Sequence, residues 1–320
     1  GLTTGAALGA VGAALLDLDR TRGAVANAVA PLTGTATGAL GSGLLVEYLP
    51  EPSHLVYLVL SAVFALQVVG VALIAEPGSR RPGAVASLRP TFAVPAHIRR
   101  PLAVAVPALV ASWALAGFYG SLSPALVRQL ASSDSFALGG LALFALAAGA
   151  AVSVLFVASA SPHRTMAIGT IVLFVGVGVT LVAVAYSLPI TFFVGAAIAG
   201  AGFGPSFQGS LRTVLGQVEA HQRAGVLSVV FVVSYLAMGL PAVIGGVLVV
   251  DGGGLINAAR EYGLGVMVLA AIALVGLAME SRRRQPSDEL SEQLNSDLGA
   301  GSAAIPRTGR EPRPCTELAA

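Results

Sequence analysis

"GSRRPGAVASLRPTFAVPAHIRRP", residues 78–101, carries five arginines and no acidic residue. It is the longest polar interruption in a chain of 320 residues that is 55% hydrophobic and only 11% charged. Little apolar sequence lies before it and far more behind it. A soluble protein keeps about a quarter of its residues charged to cover its surface. This chain, with a mean hydropathy of +0.83, has no such cover. Its apolar runs reach about 18 residues or more, the length that crosses a bilayer. They neither alternate nor stop at the roughly 10 residues of a barrel strand, so they are helices, which satisfy their own backbone hydrogen bonds in lipid.

The spacing predicts nine spans, at 1–16, 24–49, 54–76, 102–127, 136–159, 165–187, 189–212, 224–250 and 262–280. Loops then alternate between the two faces of the membrane. With residues 78–101 taken as cytoplasmic, only Arg128 and Arg260 of the 18 basic residues, all arginine, fall on the opposite side. Basic loops stay inside, so the arginines orient the chain with its C-terminus cytoplasmic. The same placement explains the net charge of +2 without any nucleic-acid partner. The organisation expected is a partial N-terminal bundle of three spans (1–77), a central cytoplasmic loop (78–101), a six-helix C-terminal bundle (102–280) and a disordered cytoplasmic tail (281–320). The chain opens on "GLTTGAALGAVGAALL", without methionine and with a span of about 16 residues against the roughly 20 needed. It is therefore expected to be an N-terminally truncated fragment.

An internal repeat fits this organisation. At a constant offset of 201, "RGAVANAVAPLTGTATGALGSGLL" from Arg22 aligns with "RAGVLSVVFVVSYLAMGLPAVIGG" from Arg223. Arg22 meets Arg223, Asn27 meets Ser228 and Gly38 meets Gly239. Both copies leave the cytoplasmic side in the same direction, as parallel repeats of a transporter do. Six spans per repeat would place three more before residue 1.

With two six-helix halves, a basic join and an inside C-terminus, the chain resembles the major facilitator superfamily of secondary transporters. "LDLDRTRGAVANAVAPLTGTATGALGSGLL" (16–45) is similar to that family's fourth-to-fifth helix junction. "GFGPSFQGSLRTVLGQVEAHQRAGVLSVVFVVSYLAMGLPAVIGG" (202–246) is similar to its tenth-to-eleventh. The resemblance covers residues 1–280 as helices four to twelve, nine spans of an expected twelve. It implies an all-α, two-bundle membrane transporter, monomeric at full length, not an enzyme, without cofactor or metal, in the plasma (inner) membrane. The family's antiporters carry a glycine-proline-x-x-glycine-glycine element in the fifth helix. "GALGSG" (38–43) keeps Gly38 and Gly43 but has Ala39 for the proline and Ser42 for the first paired glycine. The element favours export over uptake.

Glycines four residues apart, such as Gly34 and Gly38, let helix backbones approach closely. Asn27, Gly34, Gly38, Gly43, Pro205, Gly239 and Pro241 are therefore expected in packing or gating, ordinary packing being the plainer role. In "AGAGFGPSFQGS" (199–210), glycines and Pro205 are expected to loosen a helix near the midplane, where such folds bind solute. Phe203, Phe207 and Gln208 sit there; Gln208 fits a helix-to-helix hydrogen bond equally well. Ser112, Tyr119 and Ser123 recur at steps of seven and four, with Trp113 beside them. Ser228, Phe231 and Tyr235 form a similar stripe. By resemblance these positions line a central cavity. Glu47, Glu76, Arg128, Arg212 and Glu261 all fall near span ends, so no titratable group lies deep in a span to relay protons. His54, His97, His163 and His221 are scattered without metal-ligand spacing. No phosphate-binding loop is present. The single cysteine, Cys315, allows no internal disulfide. The substrate expected is small and neutral or lipophilic. The competing readings are a permease component driven by a separate ATPase and an inactive fragment.

Overall fold

The computed structural model describes residues 11, 14–15, 20–73, 95–157, 159–219, 222–251 and 253–303. Its helices are α1 (Arg20–Tyr48), α2 (Pro52–Leu73), α3 (Arg99–Ser121), α4 (Ser123–Ala131), α5 (Phe136–Val157), α6 (Pro162–Tyr186), α7 (Pro189–Leu215), α8 (Arg223–Asp251) and α9 (Leu255–Ala303). A short 3-10 turn, Ala96–Ile98, leads into α3. No strand occurs among the described residues. All but α4 contribute a segment long and apolar enough to cross a membrane, eight in total. The architecture is that of an all-α, multi-pass membrane protein. The expected span at 1–16 and residues 78–94 of the basic loop lie outside the described residues, apart from Val11, Ala14 and Leu15.

The structure corrects three boundaries. The expected span at 102–127 is two helices, α3 and α4, divided at Leu122. Pro124 is the reason: it has no N–H to continue the ladder, and its ring clashes with the preceding turn. It opens α4 instead, where a first-turn proline costs nothing. The last span begins at Leu255 rather than 262, so Arg260 and Glu261 lie inside the helix. The tail expected to be disordered is helical as far as Ala303. Its text "SRRRQPSDELSEQL" (281–294) is too polar to build a core; arginine, glutamine, glutamate and leucine extend a helix once begun, while Pro286 opposes it. The chain divides into two compact units, Gly1–Leu277 and Ala278–Ala320.

Within the first unit α7 is central, lying between α6 and α5. Its contact with α6 is antiparallel and keeps one register throughout. Gly195 faces Thr180, Ala199 faces Gly176, Gly202 faces Leu173, Ser206 faces Gly169 and Gly209 faces Met166. The steps alternate three and four on both helices, the period of left-handed helix pairing. At each glycine an added Cβ would fall within 3 Å of the partner's backbone. The other side of α7 meets α5, with Gly200 against Leu146 and Gly204 against Ala150. The expectation of a loosened helix at 199–210 is therefore overturned. α7 is a continuous α-helix through the buried Pro205, and its glycines serve close packing on two faces.

Of the residues of α1 expected in packing, Gly43 is the one that meets α5. Gly34 and Gly38 face open space, as does Gly239 in α8, and Asn27 is exposed. Gly43 is the packed glycine of α1: a Cβ there would lie 3.2 Å from both Phe136 O and the Ala137 Cα. Four residues on, the Glu47 carboxylate accepts the Phe136 N–H at 2.7 Å, capping the start of α5 from a distant helix. Arg128 stacks over the same Phe136 ring, 4.7 Å from its centroid.

Gly202→Leu should lower stability by about 3 kcal/mol, the upper range for overpacking, and Gly38→Leu by no more than about 0.5 kcal/mol. Thermal unfolding of the two variants in detergent checks the contrast. Glu47→Ala should cost about 1 kcal/mol, typical of a lost helix cap. Glu47→Gln, which keeps an acceptor oxygen, should recover most of that in the same measurement.

Candidate functional site

α3 carries adjacent residues, Ser112 and Trp113, into two different environments. Trp113 projects among rings from α7 and α8. Its centroid lies 5.5 Å from Phe207, 6.2 Å from Phe203 and 5.6 Å from Tyr235. The two phenylalanine contacts are edge-on, at 84° and 69°, the arrangement that the ring quadrupole favours. Phe203 and Phe207 stack on each other at 6.3 Å, one turn apart on α7. Phe231 lies 6.4 Å from Tyr235, one turn earlier on α8. Three helices thus bring together Trp113, Phe203, Phe207, Phe231 and Tyr235. The cluster is open on its α8 side, where Phe231 is 39% and Tyr235 49% exposed. Gln208 is partly buried beside Phe207 in the chain, and Ser228 is partly buried three residues before Phe231.

Ser112 turns the other way, into the packed interior. Its hydroxyl donates to Ala108 O at 2.8 Å and lies 3.1 Å from Ser206 Oγ. Thr170 donates to Met166 O at 2.8 Å, and its Oγ1 is 3.0 Å from the same Ser206 hydroxyl. Ser112 is the donor in both of its contacts, so its proton is shared between Ala108 O and Ser206 Oγ, and Ser206's own proton is available to Thr170 Oγ1. The cluster ties α3, α6 and α7 together and is fully buried. Tyr119, two turns further along α3, is also buried, and its hydroxyl bonds Thr180 Oγ1 at 2.8 Å. Phe192 packs 5.8 Å from its ring. Beside Tyr119 is an apolar cavity of about 10 Å³, lined in part by Leu115, Thr180 and Val266. That is room for roughly one water molecule.

Ser112, Tyr119 and Ser123 therefore do not share an open face with Trp113. They are interior residues, Ser123 lying past the α3–α4 break with its hydroxyl buried and unpartnered. Pro241 is partly buried within α8. The close approach of α3 and α8 is made instead by Gly117, where a Cβ would meet the Met238 carbonyl and lie 2.9 Å from the Tyr262 hydroxyl. Tyr262 donates to Ala114 O at 2.8 Å, fastening α9 to α3. Sequence reasoning missed Thr170, Thr180, Ser206 and Tyr262. Their one local signal is a hydroxyl in mid-span, where it must bond its own helix or a neighbour.

Among the described residues no group of three or more His, Cys, Asp or Glu side chains could hold a metal ion. No protein-family model and no curated protein matches the chain.

A double-mutant cycle with Ser112→Ala and Ser206→Ala should give a coupling of about 0.6 kcal/mol, the mean for hydrogen bonds between membrane helices. Chemical denaturation of the two single variants and the double variant in mixed micelles checks it.

Proposed function

We propose that this chain is part of a secondary active transporter of major facilitator type that moves a small, neutral or lipophilic solute by alternating access. The observation that carries the reading is the five-ring cluster around Trp113. Its members come from three helices, and two of them are open to one side. Lipid needs no such convergence, whereas solute sites in membrane bundles are built from side chains of several helices around the midplane. The resemblance to the family's helices four to twelve, the offset repeat and the basic join at 78–101 support the same reading.

The ring cluster is the solute site in this proposal, with Phe203, Phe207, Phe231 and Tyr235 as its walls. Gln208 serves as a polar contact that can donate or accept. The chain lies in the plasma membrane with its C-terminus cytoplasmic, following its arginines. Export is favoured over uptake on the fifth-helix element. Small residues along the α1–α5 contact suit a seam between two halves that rock against each other. No carboxylate, histidine or basic side chain belongs to the ring cluster, so coupling to an ion falls to residues outside it.

Cells expressing the protein should accumulate less of at least one neutral lipophilic compound from a test panel, and an uncoupler should abolish the difference. Phe207→Ala, at equal membrane level, should lower that efflux about tenfold, as the loss of roughly 1.4 kcal/mol of contact would. Efflux unaffected by uncoupler and variant alike speaks against the proposal.

A further inference from the structure

The Trp113 indole N–H is buried and has no hydrogen-bond partner. An indole nitrogen is a donor only. A donor held away from water without an acceptor carries an unrecovered desolvation cost, which a ligand that supplies the acceptor recovers. The rings packed against the indole are those of Phe203, Phe207 and Tyr235. α3 and α7 contain no acidic residue, and α8 contains only Asp251, its last. Arg99, Arg100, Arg212 and Arg223 sit in the terminal turns of their helices. From Arg100 to Trp113 the helix rises roughly 20 Å at about 1.5 Å per residue; Arg212 is nearer, about 7.5 Å of rise beyond Phe207, but its guanidinium donates to Ala160 O at 3.0 Å. Neither a cation nor an anion therefore finds a counter-charge at the rings.

We infer that Trp113 determines specificity, its N–H receiving the hydrogen-bond acceptor of an uncharged aromatic solute such as an aryl ketone. The inference rests on the reading of the ring cluster as the solute site. The solute's ring packs against the Phe203–Phe207 pair. Tyr235, the most exposed ring of the cluster, moves aside to admit it. Ring faces alone would also attract a quaternary ammonium ion. The indole N–H sets the two classes apart, because its hydrogen carries positive charge and attracts a carbonyl oxygen where it repels a cation. Ser234, beside Tyr235, has a second buried hydroxyl without a partner. A hydroxyl donates or accepts, so it does not discriminate.

The test is equilibrium binding of three tritiated probes to the full chain in lipid nanodiscs, without any gradient and with empty nanodiscs subtracted. Benzophenone has the acceptor, diphenylmethane has the same rings without it, and benzhydryltrimethylammonium has the charge. Benzophenone should bind about tenfold tighter than either of the others. Trp113→Phe should bring benzophenone down to the diphenylmethane level and leave diphenylmethane unchanged. Trp113→benzothienylalanine, which exchanges the N–H for sulfur at nearly constant shape, should do the same if the phenylalanine variant is unstable. Equal binding of benzophenone and diphenylmethane, tightest binding of the ammonium probe, no saturable benzophenone binding, or an equal loss of both neutral probes in the variants would overturn the inference. Selective binding by a chain that moves no solute would leave it standing and remove the transport reading. Transport unaltered by either Trp113 variant would do the reverse.

Discussion

Inside a bilayer, apolar helices gain nothing from the hydrophobic effect by pairing, because lipid tails are as apolar as leucine side chains. What remains is dispersion between closely packed atoms, together with the few hydrogen bonds that polar side chains can make. Dispersion falls off steeply with separation, so its yield depends on how near two backbones can come. The glycines at 169, 176, 195, 202 and 209 set that distance between α6 and α7, and those at 200 and 204 set it between α7 and α5. With α7 held on two sides, its remaining surface is free to present Phe203 and Phe207 to α3 and α8.

α3 is where packing and site chemistry separate. Ser112 faces the hydroxyl cluster on α6 and α7, and the next residue, Trp113, faces the rings. Adjacent positions on a helix are about 100° apart, so one turn of α3 serves both. The interior side is closed: hydroxyls bond each other and their own carbonyls, and Tyr119 and Tyr262 find partners on neighbouring helices. The ring side is not closed. It exposes Phe231 and Tyr235 and leaves an indole donor unmatched. That asymmetry makes the ring cluster the candidate for binding and the hydroxyl cluster a fastening.

The contact between α1 and α5 is a second close seam built on small residues. A Cβ at Gly140 would meet the Ala39 carbonyl, and Gly43 packs on Phe136 and Ala137. The polar link is the Glu47 carboxylate on the first N–H of α5, at the end of the seam. A helix N-terminus attracts negative charge, so the link is favourable wherever the two ends meet.

Much of the architecture was legible in the sequence, because membrane spans are declared by the length and composition of single runs. Hydropathy alone locates the eight spans that the structure describes, to within a few residues at most ends. It misplaced the break at Leu122, where Pro124 interrupted an apolar run that hydropathy reads as continuous. It also took glycine for weakness. Gly195, Gly202 and Gly209 recur every seven residues, and Gly169 and Gly176 match them, yet a repeat on one helix states a packing face without naming the partner. Gly34 and Gly38 have an equally good spacing and face open space. Among the candidate residues, five aromatic side chains from three helices did converge, while Ser112, Tyr119 and Ser123 went to the interior. The sequence by itself determined that the chain spans a membrane, because burial of a backbone in lipid is decided within each segment. Only the tertiary structure decided which faces meet, because the pairing of helices depends on the matching of two surfaces, and neither strand of text contains the other.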